Sequence, residues 1–250
     1  MSGFDDLLGT DFAGNPNDDL EEVIYGGLDD PRHRERVPGL IALMNDTAAR
    51  DWHRLAACAA LTTWAEPAGF DAVLEAAADP QRAPWYGCLI DRKFSVDNTF
   101  AQLSRAVYDS EDLADEKSTS GRRTECFRAL VSIADTEYFD EQLADSLDAA
   151  TVREVLPDIV ETITRGSAAI GRARFDLATQ LIDLAASLAA MDGPLAVRLA
   201  HDVLAVAPSP RALVHATAIV HRSATPEATA FGEYLAVVGD DHVRRCLTER

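Results

Sequence analysis

Lysine is almost missing from this 250-residue chain. Only Lys93 and Lys117 are lysine among 23 basic residues, which face 42 aspartates and glutamates, for a formal charge of -19. So acidic a chain repels a phosphate backbone unless its few cations cluster, and nucleic acid is not expected as a partner. Long apolar runs are missing too. No window holds 18 apolar residues, and Met1 to Asp6 lacks the basic start and apolar stretch of a signal peptide. Membrane spans and export are therefore not expected, and the cytoplasm is the expected compartment. Cysteine is sparse. Cys58, Cys88, Cys126 and Cys246 are too widely spaced for a paired zinc knuckle, and no histidine is read in ligand spacing with any of them. They read as small buried hydrophobes under reducing conditions, with no metal and no cofactor implied. Strand signals are the last absence, because β-branched residues nowhere alternate with polar ones over a useful stretch.

What is present is helical. Hydrophobic residues make up 47% of the chain and charged ones 26%, values ordinary for a folded soluble protein. Apolar residues recur three and four positions apart throughout. Trp52, Leu55, Ala56, Ala59 and Thr63 form one such stripe, and Phe70, Val73, Leu74 and Ala77 another, so each helix is expected to bury one face. From Arg172 to Ala190 the pattern is apolar on more than one side, which predicts a helix set between neighbours. Short punctuation divides the pieces: Gly26-Gly27, Glu66-Pro67, Gly193-Pro194, Pro208-Ser209-Pro210 and Thr225-Pro226 all follow the rules for helix ends. The longest polar interval, Ser110 to Gly121, is expected to be a mobile loop. The helical pattern resumes after it, so residues 18–250 read as a single domain behind an acidic, partly flexible segment at 1–17.

An internal similarity gives the architecture. ALTTWAEPAGFDAVLEAAAD (60–79) aligns without a gap on ALVSIADTEYFDEQLADSLD (129–148), with seven identities in 20 positions. The stretch 34–41 aligns with 153–160 and keeps a proline, Pro38 or Pro157, inside a helical pattern both times, where it removes a backbone hydrogen bond and bends the helix. Together these favour a degenerate tandem repeat. The string from Asp51 to Leu61, then Glu66-Pro67, Phe70 to Leu74 and Asp79-Pro80, resembles the HEAT repeat signature, most clearly over residues 31–80. The resemblance implies an all-α fold: a right-handed α-α superhelix, a HEAT/armadillo-like solenoid of about 12 helices with a concave ligand face. It implies fold more than function.

Several constellations carry chemical suggestions. Nine acids precede Arg32, and Asp11, Asn15, Asn17, Asp19 and Glu22 fall at calcium-loop spacing, but Ala13 and Pro16 stand where a ligand and a glycine are needed. The alternative is a helix from about Asp18 to Tyr25, with acids at its positive end and Gly26-Gly27 ending it. His201-Asp202 resembles half of a metal phosphohydrolase motif, yet its upstream candidate, His53, lies far outside the usual spacing. His215 and His221, six apart, point to different helix faces and read as ordinary surface or interface residues. Trp52, Trp64 and Trp85, with Tyr86, fall in one third of the chain; they either line a concave binding face or fill the core. Asp91 and Arg92 lie beside them, as a catalytic acid next to an arginine or as a salt bridge.

These readings favour a non-enzymatic binding protein. An acidic surface would grip a basic protein partner, with Trp52, Trp85, Tyr86, Asp91 and Arg92 as the candidate binding residues and an inhibitor or immunity-type role. Two other readings use the same architecture. HEAT-like DNA glycosylases for alkylated bases would recruit Trp52, Trp85, Asp91 and Arg92, against the charge, and a bilin-handling solenoid would need an apolar pocket with an acid inside.

Overall fold

A computed structural model of the chain describes residues 3–91 and 96–249. Its elements are α1 (Phe4–Leu8), α2 (Leu20–Asp29), α3 (His33–Asn45), α4 (Asp51–Thr63), α5 (Pro67–Ala78), β1 (Ile90–Asp91), β2 (Val96–Asp97), α6 (Thr99–Asp109), α7 (Glu111–Glu116), α8 (Ser120–Ser132), α9 (Gln142–Asp145), α10 (Ala149–Ser167), α11 (Leu177–Ser187), α12 (Gly193–Val206), α13 (Pro210–Arg222), α14 (Pro226–Val238) and α15 (Asp241–Thr248). Short 3-10 turns occupy Pro80–Arg82 and Ile170–Arg172. The fold is all-α and solenoid-like, with neighbouring helices packed on one another. Among the described residues fifteen α-helices replace the expected twelve. The excess is α1, α7 and α9, which are only five, six and four residues long. Strand is confined to one antiparallel ladder of β1 on β2, with Ile90 opposite Asp97. No described helix is long and apolar enough to cross a membrane. The chain forms two compact units, Met1–Ala129 and Leu130–Arg250.

The first unit is built around α4, which packs on α2, α3, α5 and α6. Its Leu55, Ala56, Ala57, Cys58, Ala60 and Leu61 are buried, and the small side chains let four neighbours approach one helix. Trp64 ends α4 and is fully buried, its Nε1 donating to the carbonyl of Ile24 at 2.8 Å. This contact explains a departure from the sequence reading: α2 runs through Gly26-Gly27 to Asp29 rather than stopping there. A side chain at Gly27 would overlap the Trp64 indole, so the glycine serves a close approach inside a helix and not a helix end. The interval from Ser110 to Gly121 is also not a loop. It holds α7, and Lys117 beyond it donates to the Trp64 carbonyl (2.6 Å), Glu66 Oε1 (2.6 Å) and His33 Nε2 (3.1 Å). Three acceptors on one ammonium order a stretch whose composition alone reads as solvent-exposed.

Segment 4–17 packs on the same unit. Leu7 and Leu8 are buried, and Arg36 of α3 donates to the carbonyls of Leu7 (2.7 Å), Thr10 (2.9 Å) and Asp11 (2.6 Å) while its guanidinium lies 4.2 Å from the Phe12 ring centroid.

In the second unit each helix packs on the next and on the next but one: α11 meets α10, α12 and α13, and α13 meets α11, α12, α14 and α15. Side-chain caps set the starts. Asp148, Asp176, Asp192, Ser209, Thr225 and Asp240 each accept from a backbone N–H of the first turn they precede. As its all-round apolar pattern predicts, α11 is buried on every side from Leu177 to Ala186. Pro38 and Pro157 both stand inside helices, α3 and α10.

The two aligned stretches keep their core but not their helices. Leu61, Phe70, Leu130 and Phe139 are all fully buried, yet twelve-residue α5 corresponds to four-residue α9. Gln180 of α11 accounts for the difference. Its Oε1 accepts from the N–H groups of Phe139 and Asp140 (2.7 and 3.1 Å), and its Nε2 donates to the carbonyls of Ala134 and Glu137 (2.6 and 2.9 Å). One buried amide thus supplies partners that a continuous helix would supply to itself.

Candidate functional site

The tryptophans separate into two roles. Trp64 and Trp85 are buried, whereas Trp52, expected on the buried stripe of α4, is 41% exposed. It sits in the first turn of α4, ahead of the buried positions that begin at Leu55. Phe4 of α1 meets it edge-on, with centroids 4.7 Å apart, and stacks on His53 at 4.1 Å and 12°. Carboxylates flank this trio in sequence: Asp5 and Asp6 follow Phe4, Asp51 precedes Trp52, and all three are exposed. Burial, helped by the charge of Arg50, pushes the His53 pKa down, and Asp5 opposes that shift. At neutral pH His53 is therefore a neutral aromatic platform beneath Phe4.

Trp85 belongs to a different feature, a cleft of about 400 Å³ between the end of α3, one face of α4 and the end of α5. Met44, Ala72, Ala76 and Pro84 make its apolar wall with Trp85, and Arg54, Glu75, Asp79 and Arg82 bring charge to it. Trp52 is not part of that wall. Trp52 and Arg54 are two residues apart on α4, about 200° around the helix, so the structure does not bring Trp52 and Trp85 together. Tyr86 is 39% exposed on the turn following Trp85. Asp97 organises the turn's other end, accepting from the Gly87 N–H and from Thr99 Oγ1, both at 2.7 Å. Asp91 belongs to β1, and Arg92 lies outside the described residues.

The alternative constellations resolve into structural contacts. Asp11 accepts from the N–H groups of Ala13 and Asn15 and from Asn15 Nδ2, so its carboxylate closes its own turn, and these bonds hold its pKa below the ordinary value. Among the described residues no group of three His, Cys, Asp or Glu side chains could hold a metal ion. His201 packs against Phe231 and Tyr234 of α14, each at 4.9 Å, and takes no part in a His–Asp site. The cysteines are free, and burial raises the thiol pKa of Cys58 to about 12 and of Cys88 to about 11. Contrary to the spacing read from sequence, one histidine does reach a cysteine. His242 and Cys246, four apart on α15, place Nδ1 and Sγ 3.9 Å from each other.

Sequence reasoning missed one pair. Asp183 of α11 and His215 of α13 are joined through Oδ1 and Nδ1 at 2.7 Å, with Asp183 buried and its second oxygen without a partner. Desolvation raises the Asp183 pKa, and the bond to Asp183 raises that of His215. The orientation is that of the acid and base of a catalytic triad, but no described hydroxyl or thiol bonds to His215 to act as nucleophile. The pair ties α11 to α13. Its signal was a lone aspartate in the middle of a helix apolar on all sides, since such a carboxylate needs a buried partner.

Compared with known proteins, the chain matches no family model, no curated protein and no solved structure.

Proposed function

We propose that this chain is a non-enzymatic binding protein on a HEAT-like helical-repeat scaffold, and that it grips a basic protein partner in an inhibitor or immunity-type role. The observation that carries the reading is the exposed Trp52, propped by Phe4 and His53 and bordered by Asp5, Asp6 and Asp51. An aromatic anchor inside an acidic rim is how interfaces combine affinity with steering: the ring supplies buried area, and the charges raise the encounter rate.

The cations of the first unit support it, because most are consumed locally. Arg32 pairs with Asp30, Arg34 with Glu116, Arg105 with Asp109, Lys117 with Glu66 and Arg122 with Asp71. Exposed Asp18, Asp19, Glu21, Glu22 and Asp29 lie before the first basic side chain of the sequence. Excess negative charge is therefore left facing solvent.

The test uses an arginine-rich peptide and a DNA duplex as probes of the intact chain. Peptide association should slow by about an order of magnitude between low and physiological salt, since exposed charges are screened beyond about 8 Å. Trp52→Ala should weaken peptide binding by about 30-fold, the loss typical of an interface anchor, with little change in the salt dependence. Salt-independent association would refute the electrostatic reading, and tight duplex binding would replace it with the glycosylase alternative.

A further inference from the structure

The cleft beside Trp85 holds two opposite charges that do not neutralise each other. Arg54 uses Nε on the Met44 carbonyl at 3.0 Å and reaches Asp51 only at 3.8 Å through Nη1, so most of its donors remain for a ligand. Its side chain is only 12% exposed, which keeps solvent from screening it fully. Glu75, on α5 across the cleft, pairs with no cation among the described residues. Arg82 and Asp79, the other charged pair in the wall, satisfy each other at 3.3 Å. Between the charges lies Trp85, 4% exposed, whose buried Nε1–H has no acceptor.

We propose that this cleft binds a small zwitterion with an apolar body, namely an α-amino acid with an aromatic or aliphatic side chain. The carboxylate accepts from the Arg54 guanidinium, the ammonium donates to Glu75, and the side chain lies against Trp85 and Met44. The cleft volume of about 400 Å³ is within the range of small-ligand sites. The shielded Arg54 guanidinium selects a carboxylate, and Glu75 at the rim of the cleft adds a preference for the ammonium of a zwitterion over a simple acid. Trp52 does not line this cleft, and the two proposals are tested with different ligands.

Calorimetric titration of the intact chain with L-phenylalanine, N-acetyl-phenylalanine and phenylalanine amide tests it. Phenylalanine should bind with a dissociation constant of about 1 mM or below, and each blocked analogue at least about tenfold more weakly, as expected for the loss of one charge-assisted hydrogen bond. Glu75 is exposed and makes no bond that the fold needs, so Glu75→Gln should fold normally. That variant should bind phenylalanine and its N-acetyl derivative equally while still rejecting the amide. Absence of binding at about tenfold above that concentration, equal binding of all three compounds, or an unchanged preference in Glu75→Gln would each overturn the assignment.

Discussion

Replacing Lys117 with methionine keeps the length and apolar stem of the side chain and removes only its charge and three donors. The Trp64 carbonyl and His33 Nε2 are then left buried without a donor, and Glu66, 18% exposed, loses its cation. Charge-assisted hydrogen bonds contribute about 1.5 to 3 kcal/mol each, and breaking a buried pair costs about 3 to 5. With both partners slightly exposed, a loss of about 3 kcal/mol is expected, a large share of a typical 5 to 15. The assay is urea unfolding followed by tryptophan fluorescence, which reports the first unit because Trp52, Trp64 and Trp85 all lie in it. The loss should also shrink in acid. His33 donates from Nδ1 to the Asp30 carbonyl, so Nε2 must be the unprotonated acceptor of Lys117. Burial first, then the Lys117 charge, holds the His33 pKa below 6.5. Folding thus favours the neutral ring, and the stability it contributes is complete above about pH 6.5 and declines as pH falls through the folded pKa. Once His33 is protonated it no longer accepts from Lys117, so wild type and variant converge. A loss below about 0.5 kcal/mol at pH 7.5, or a difference that widens at pH 5, would refute this account of the network.

In the second unit the pH response should have the opposite sign. The pKa values of both Asp183 and His215 are raised, so their stabilisation is present at low pH and lost as pH rises through the folded values. Segment-resolved hydrogen exchange over 177–222, corrected for intrinsic rates, should show protection falling above about pH 6.5 in wild type but not in Asp183→Leu; a parallel decline in both would remove the pair as its cause. Gln180→Leu removes four hydrogen bonds to backbone groups just before α9 and should cost at least about 4 kcal/mol in thermal unfolding, whereas a cost under about 1 kcal/mol would show that water replaces the amide easily.

Features set by local chemistry were legible in the sequence. Pro67, Pro194, Pro210 and Pro226 mark helix starts because the first turn tolerates a missing N–H, a condition that does not depend on the rest of the fold. Features set by distant partners were not. Gly27 reads as a helix end until Trp64 is placed beneath it, and Ser110 to Gly121 reads as a loop until Lys117 finds acceptors about 50 and 84 residues away. Trp52 fits the apolar stripe of α4 by spacing, but spacing says nothing about where neighbouring helices stop. For the same reason the sequence grouped Trp52 with Trp85, although Trp52 takes no part in the cleft that Trp85 lines. The charges of the Trp85 cleft, Arg54 and Glu75, drew no notice as residues because each is ordinary alone.

The hold of Arg36 on three carbonyls of segment 4–17, those of Leu7, Thr10 and Asp11, couples the docking of the whole segment to one side chain. When the guanidinium lets go, three carbonyls, two buried leucines and Phe4 leave together, and Trp52 loses the ring that props it. If the Trp52 face binds as proposed, its affinity is scaled by the fraction of molecules in which the segment is docked. A basic partner that contacts Asp5 and Asp6 would raise that fraction, completing its own binding surface as it arrives. The apparent strength of the interaction would then be tunable by a change at Arg36, which acts through the docking of segment 4–17.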